Sequence, residues 1–112
     1  MTRLMAFLTA KDGIPHSDFL DHYEHVHVPL IRGIAPGIAS YRRHYLNKSP
    51  LKLGPQASVP CFDVVTELSF ADEAARRIAI AALADASSLI RADEQRFLNV
   101  DLMCLLSVDT RE

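Results

Sequence analysis

The sequence predicts an α+β protein of the ferredoxin-like type: a four-stranded antiparallel sheet with its helices on one face. Three observations predict it. The elements read in the order β-α-β-β-α-β, and right-handed split βαβ units wind that order into such a sheet. The length of 112 residues fits one domain spanning 1–112. Finally, the third and fourth predicted strands are apolar on both parities, as in Phe62, Val64, Leu68 and Phe70 against Val65, and Leu102, Cys104 and Leu106 against Met103 and Leu105. A sheet apolar on both faces needs cover on both. Helices supply one cover, and a second copy of the chain is the economical source of the other.

The first strand is read at 3–10, short and mostly apolar, and Lys11-Asp12-Gly13 is its turn signal. Pro15 suits the approach to a helix, and Ser17 is a candidate cap. The first helix is expected over about 16–33, stopped by Gly33, Pro36 and Gly37. At about 100° per residue, Phe19, Tyr23, Val26, Leu30 and Ile34 share its apolar face. Pro29 lacks the donor for the carbonyl of His25 and clashes with it, so a kink or loosened turn is expected there. The second strand is read at 38–46, with Tyr41 and Tyr45 on one parity. Residues 47–60 hold three prolines and a glycine and read as a long surface loop, a candidate lid or interface arm. The third strand is placed at 61–70. Asp72 and Glu73 open an alanine-rich second helix at about 72–84. Ser87-Ser88 interrupts it, a further helical segment covers roughly 88–97, and the last strand covers 101–109.

Composition narrows the function classes. The chain is 49 % hydrophobic and 23 % charged, with a formal net charge of −2. No basic surplus points to nucleic acid, and no basic amphipathic helix points to a membrane surface. Apolar runs are too short to span a bilayer or to form a secretory signal, so a cytoplasmic setting is expected. Cys61 and Cys104 lack metal spacing and read as buried strand residues. With the first strand between theirs, they would lie roughly 10 Å or more apart, beyond the reach of a disulfide.

Chemistry concentrates in the first helix. His27 follows Tyr23 by one turn, at the edge of the apolar face, so the two side chains are neighbours. An imidazole there can act as a general acid or base, or can tie the helix end to the backbone. Tyr23 can stabilise an enolate or simply pack with its hydroxyl at the surface. Asp93 can orient His27 across the fold and fix its tautomer, or cap the last helical segment. Tyr41, Arg43 and Tyr45 share a strand face that either lines a cavity or meets a partner subunit. His22 and His25 are three apart, as metal ligands can be, but His27 points elsewhere and Asp18 and Asp21 pair with them as solvated neighbours. No metal is expected, and no glycine-rich phosphate loop or dinucleotide fingerprint is present.

Phe19-x3-Tyr23-x3-His27-x-Pro29, Ala35-Pro36-Gly37-x3-Tyr41 and Ala92-Asp93-Glu94-x2-Phe97 together resemble the EthD-like family of the dimeric α/β-barrel superfamily. The family often has tryptophan where this chain has Tyr23. The resemblance covers most of the chain. It implies a ferredoxin-like protomer, a homodimer whose sheets form a barrel, and a cavity in each subunit. Superfamily relatives include cyclases, cofactor-free monooxygenases, isomerases, haem-degrading enzymes and proteins without known activity, so fold alone does not choose a reaction.

The expectation is a cofactor-independent acid/base enzyme acting on a hydrophobic, oxygenated small molecule, of cyclase, dehydratase, isomerase or monooxygenase type. His27, Tyr23 and Asp93 are its candidate catalytic residues. Tyr41, Arg43, Phe19 and Phe97 are its candidate ligand-binding residues. The alternative is a non-catalytic binding or accessory dimer serving an oxygenase degradation pathway. The two differ in whether the cavity encloses polar groups at hydrogen-bond distance or only apolar walls.

Overall fold

The computed structural model describes residues 2–49 and 59–112. Most of the loop read as a lid or interface arm lies outside the described residues. The sheet contains β1 (Thr2–Leu8), β2 (Ser40–Tyr45), β3 (Val64–Phe70) and β4 (Cys104–Val108) in the order β2-β3-β1-β4, and every pairing is antiparallel. This is the ferredoxin-like topology read from the element order. Helices α1 (His16–His22), α2 (Val28–Ile34), α3 (Glu73–Asp85) and α4 (Ser87–Phe97) complete the chain.

Local chemistry sets the element ends. Gly13 closes the turn after β1 at φ 81°, a left-handed conformation that glycine adopts without strain. Helix α1 starts at His16 without a side-chain cap, so Ser17 lies inside the helix and does not cap it. The Asp72 carboxylate accepts from Ala75 N at 2.8 Å and caps α3. The break before α4 falls at Ala86, just ahead of the two serines.

The first helix keeps its expected extent but not its expected register. Between α1 and α2, Tyr23–His27 forms a π-helical turn in which Val28 N–H reaches back five residues to Tyr23 O. The wider turn sits just ahead of Pro29, which has no N–H for the preceding turn and crowds its carbonyls. It admits one extra residue and rotates the helix beyond it. Val26, expected on the buried face, is therefore 45 % exposed, while His27 and Val28 turn inward. His27, expected at the edge of that face, is only 5 % exposed.

The core lies between sheet and helices. Leu4 and Leu8 of β1 and Val64, Leu68 and Phe70 of β3 meet Phe19, Tyr23, Val28 and Ile31 from the helical layer. The pleat sends Met5, Phe7, Val65 and Leu106 to the opposite face, which no helix among the described residues covers. Both cysteines are free and exposed, contrary to the expectation of burial. Cys61 lies in a bend before β3 begins, and Cys104 lies on the edge strand β4.

Candidate active site

The π-helical turn delivers Tyr23 and His27 to one cavity. This cavity, about 360 Å³, lies between the sheet and helices α3 and α4. Leu4, Leu68, Leu83 and Ile90 contribute to apolar walls, and Tyr23, His27, Tyr41, Thr66 and Glu94 contribute the polar groups. A larger, charged hollow of about 510 Å³ around Arg3, Arg76 and Asp109 lies at the sheet edge, away from these groups. The cavity is the stronger candidate because a few polar groups converge within an apolar enclosure.

His27 is held by Asp93, which is buried in α4. Its Nδ1 lies 2.8 Å from Asp93 Oδ2. A carboxylate only accepts, so Nδ1 carries the proton and Nε2 of the neutral ring keeps its lone pair. Burial lowers the proton affinity of His27. The hydrogen bond and charge of Asp93 oppose that shift, and the nearby His22 adds to it. The result is a neutral imidazole in a fixed tautomer, the form in which histidine acts as a base.

The phenols form a second polar group. Tyr23 Oη is hydrogen-bonded to Thr66 Oγ1 on β3, and Tyr41 Oη interacts with Tyr23. Burial raises the proton affinity of both phenols above its usual value. They stay neutral and can donate to an oxygen that gains negative charge, but they do not serve as phenolate bases. The Tyr23 and His27 rings lie 5.7 Å apart.

Arg43 and Tyr45 face the helices, not the opposite side of the sheet. Arg43 Nε donates to Glu24 Oε2 at 2.9 Å and its Nη2 donates to Glu24 Oε1, while Tyr45 Oη donates to the same carboxylate. The Arg43 guanidinium holds the Glu24 carboxyl below its usual range. The forked pair ties β2 to the π-helical turn and leaves Arg43 outside the cavity lining. Phe19 and Phe97 are fully buried and also outside that lining. Phe97 packs under the site, with ring centroids 5.0 Å from His27 and 5.5 Å from Tyr23. Both phenylalanines belong to the core because the helical layer closes over their rings before the cavity begins.

Two residues the sequence did not mark as site residues also stand here. Glu94 projects into the cavity beside Arg91, with 4.0 Å between Oε1 and Nε, and burial raises its carboxyl's proton affinity. His22 Nε2 lies 2.9 Å from Asp93 Oδ1. His25 is exposed beside Asp21. Among the described residues, no group of three or more His, Cys, Asp or Glu side chains is arranged to hold a metal ion.

Comparison with known proteins places the chain in a family and its fold among solved structures. Solved structures similar in fold include an EthD family protein from Bacillus halodurans C-125, with 20 % identity, a TM-score of 0.65 and coverage of 99 % of this chain and 100 % of that one. A dimeric protein of unknown function with a ferredoxin-like fold from Bacteroides fragilis NCTC 9343 has 7 % identity, a TM-score of 0.55 and coverage of 97 % and 95 %. A dimeric ferredoxin-like protein of unknown function from Thermobifida fusca YX has 13 % identity, a TM-score of 0.54 and coverage of 97 % and 90 %. No curated protein matches the chain in sequence. The EthD domain profile matches residues 11–101, most of the chain and all of the residues that build the cavity's polar groups, and the protein belongs to the EthD domain family.

Proposed function

We propose that the protein is a cofactor-independent acid/base enzyme acting on a hydrophobic small molecule that carries a carbonyl or phenolic oxygen. The observation that carries this reading is the neutral His27 imidazole, fixed by Asp93, at the wall of an apolar cavity that also holds neutral phenols. His27 Nε2 takes a proton from carbon next to the carbonyl. Tyr23 and Tyr41 donate to the oxygen on which charge develops. Cyclisation, dehydration, isomerisation and oxygenation of a carbanion all begin with such a step. An accessory binding protein of a degradation pathway would need only apolar walls, and the buried carboxylate under His27 favours catalysis over that role.

The working unit is proposed to be a homodimer joined through the uncovered sheet face. Dimeric structural neighbours and the apolar residues on that face support it. No helix among the described residues is long and apolar enough to cross a membrane. Two free, exposed thiols suit a reducing, cytoplasmic setting.

The test needs no knowledge of the final product. Aromatic 1,3-diketones are incubated with the protein in D2O, and deuterium entry at the activated carbon is followed by NMR. The wild type is expected to accelerate exchange, and His27→Gln to lose roughly 10²–10⁴-fold of that acceleration. Equal exchange by both proteins would falsify the reading.

A further inference from the structure

Asp93 serves two imidazoles, not one. Oδ2 accepts from His27 Nδ1–H at 2.8 Å, and Oδ1 accepts from His22 Nε2–H at 2.9 Å. The two histidines look in different directions. His27 lines the cavity, while His22 has a side chain 20 % exposed and lines a surface hollow with Asp18, Asp21 and His25. The Phe97 ring lies beside both imidazoles, its centroid 4.7 Å from that of His22 and 5.0 Å from that of His27. The array therefore runs from a surface hollow, through a buried carboxylate, to the cavity wall.

We propose that His22 is a positioning residue for His27: through the carboxylate they share, it sets how firmly the cavity imidazole holds a proton. With His22 neutral, the Asp93 charge is available to stabilise a proton arriving on His27. With His22 protonated, that charge is already matched, and a second cation only a carboxylate away is disfavoured. The presence of His22 among the groups lowering the proton affinity of His27 fits this direction.

Other charged groups stand near each imidazole. His22 faces Asp18, Asp21 and His25 on its own helical stretch and Asp93 on α4. His27 shares the cavity with Glu94 and Arg91 of α4 and with the neutral phenols of Tyr23 and Tyr41. Among these groups, only Asp93 is hydrogen-bonded to both imidazoles. The effect on turnover rests on the reading of His27 as the proton-transfer group. The coupling itself does not.

The test is a long-range ¹⁵N NMR titration of the full chain, wild type and His22→Gln. Glutamine keeps an N–H donor for Asp93 Oδ1 but cannot take a charge. In His22→Gln, the midpoint of the His27 nitrogens should lie about one pH unit above that of the wild type. A packing role for His22 on Phe97 would leave the His27 midpoint in place, and identical His27 curves in the two proteins overturn the proposal. Should His22→Gln fail to fold, His22→Phe, which keeps a ring on Phe97 but cannot take a charge, is titrated in its place, and an unmoved His27 midpoint overturns the proposal as well. Coupling in a protein whose His27→Gln variant exchanges deuterium normally would support this inference while removing the catalytic reading, so the two fail separately.

Discussion

Asp93 and His27 are 66 positions apart in the chain and meet at 2.8 Å inside the fold. Asp93 offers only acceptors, and both are used by imidazole N–H groups. Asp93→Asn keeps the shape but turns one acceptor into a donor. One histidine must then switch tautomer or face an N–H against its own. Deuterium exchange should fall by roughly 10²-fold or more as the cavity base loses its fixed tautomer. Thermal unfolding should show a loss of about 1–3 kcal/mol, the cost of an unsatisfied buried partner. A variant with unchanged stability and rate would show that the pair orients nothing.

The pH dependence of stability reflects the lowered proton affinity of buried His27. Its folded value lies below its unfolded value, near 6.5. Between the two, the unfolded chain binds the extra proton, so stability falls as pH drops through that window. The contribution is fully present above the unfolded value. Urea unfolding from pH 8 to pH 5 should show this decline, and His27→Gln should flatten it. Glu24 titrates lower, so its loss of stabilisation on acidification begins below about 4.5 and is separable. A pH profile of stability that His27→Gln leaves unchanged would contradict the burial argument.

Tyr23 and Thr66 form a buried hydroxyl pair between the helical layer and β3. Removing one hydroxyl leaves the other without its protein partner at a buried position. Tyr23→Phe should cost about 1–2 kcal/mol. In a Thr66→Val background the same change should cost less, because position 66 then has no hydroxyl to orphan. A double-mutant cycle from chemical denaturation measures the difference. Additive losses would mean that the two hydroxyls do not depend on one another.

Periodicity carried the architecture well because strand and helix patterns are local. Element order came from it, as did the meeting of Tyr23 with His27, and the strand order followed from the element order through the handedness of split βαβ units. The register beyond Tyr23 did not, because a π-helical turn adds a residue that a regular 3.6-residue period cannot anticipate, and Val26 and His27 exchange places across the face. Asp93 was read as a residue that can orient His27, but the sequence could not place the two together, since their contact depends on how α4 docks. His22 read as a solvated helix residue for the same reason. Glu24 gave no signal at all: its forked bond to Arg43 depends on which face of β2 meets the helix. Once that face is known, Arg43 moves from ligand candidate to structural tie. Phe19 and Phe97 carried an ordinary aromatic signal that serves a core wall as well as a ligand wall.

The proposed dimer can be tested by the pleat of β4. Leu106 pairs with Met5 and shares their outward face with Phe7 and Val65, and it is 50 % exposed in the single chain. Leu105, one residue earlier, points to the other side and lines the cavity. If two sheets meet through the uncovered face, light scattering at micromolar concentration should give about twice the 12.5 kDa chain mass. Leu106→Glu places a charge on that face and should shift the mass to that of one chain, because a buried unpaired charge costs several kcal/mol. Leu105→Glu puts the same charge on the same strand but on the opposite face. It should leave the dimer intact and weaken binding of apolar diketones. Two variants one residue apart thus separate assembly from cavity chemistry. A wild type that runs as a monomer, or a Leu106→Glu protein that remains dimeric, would mean that the apolar face is covered in some other way.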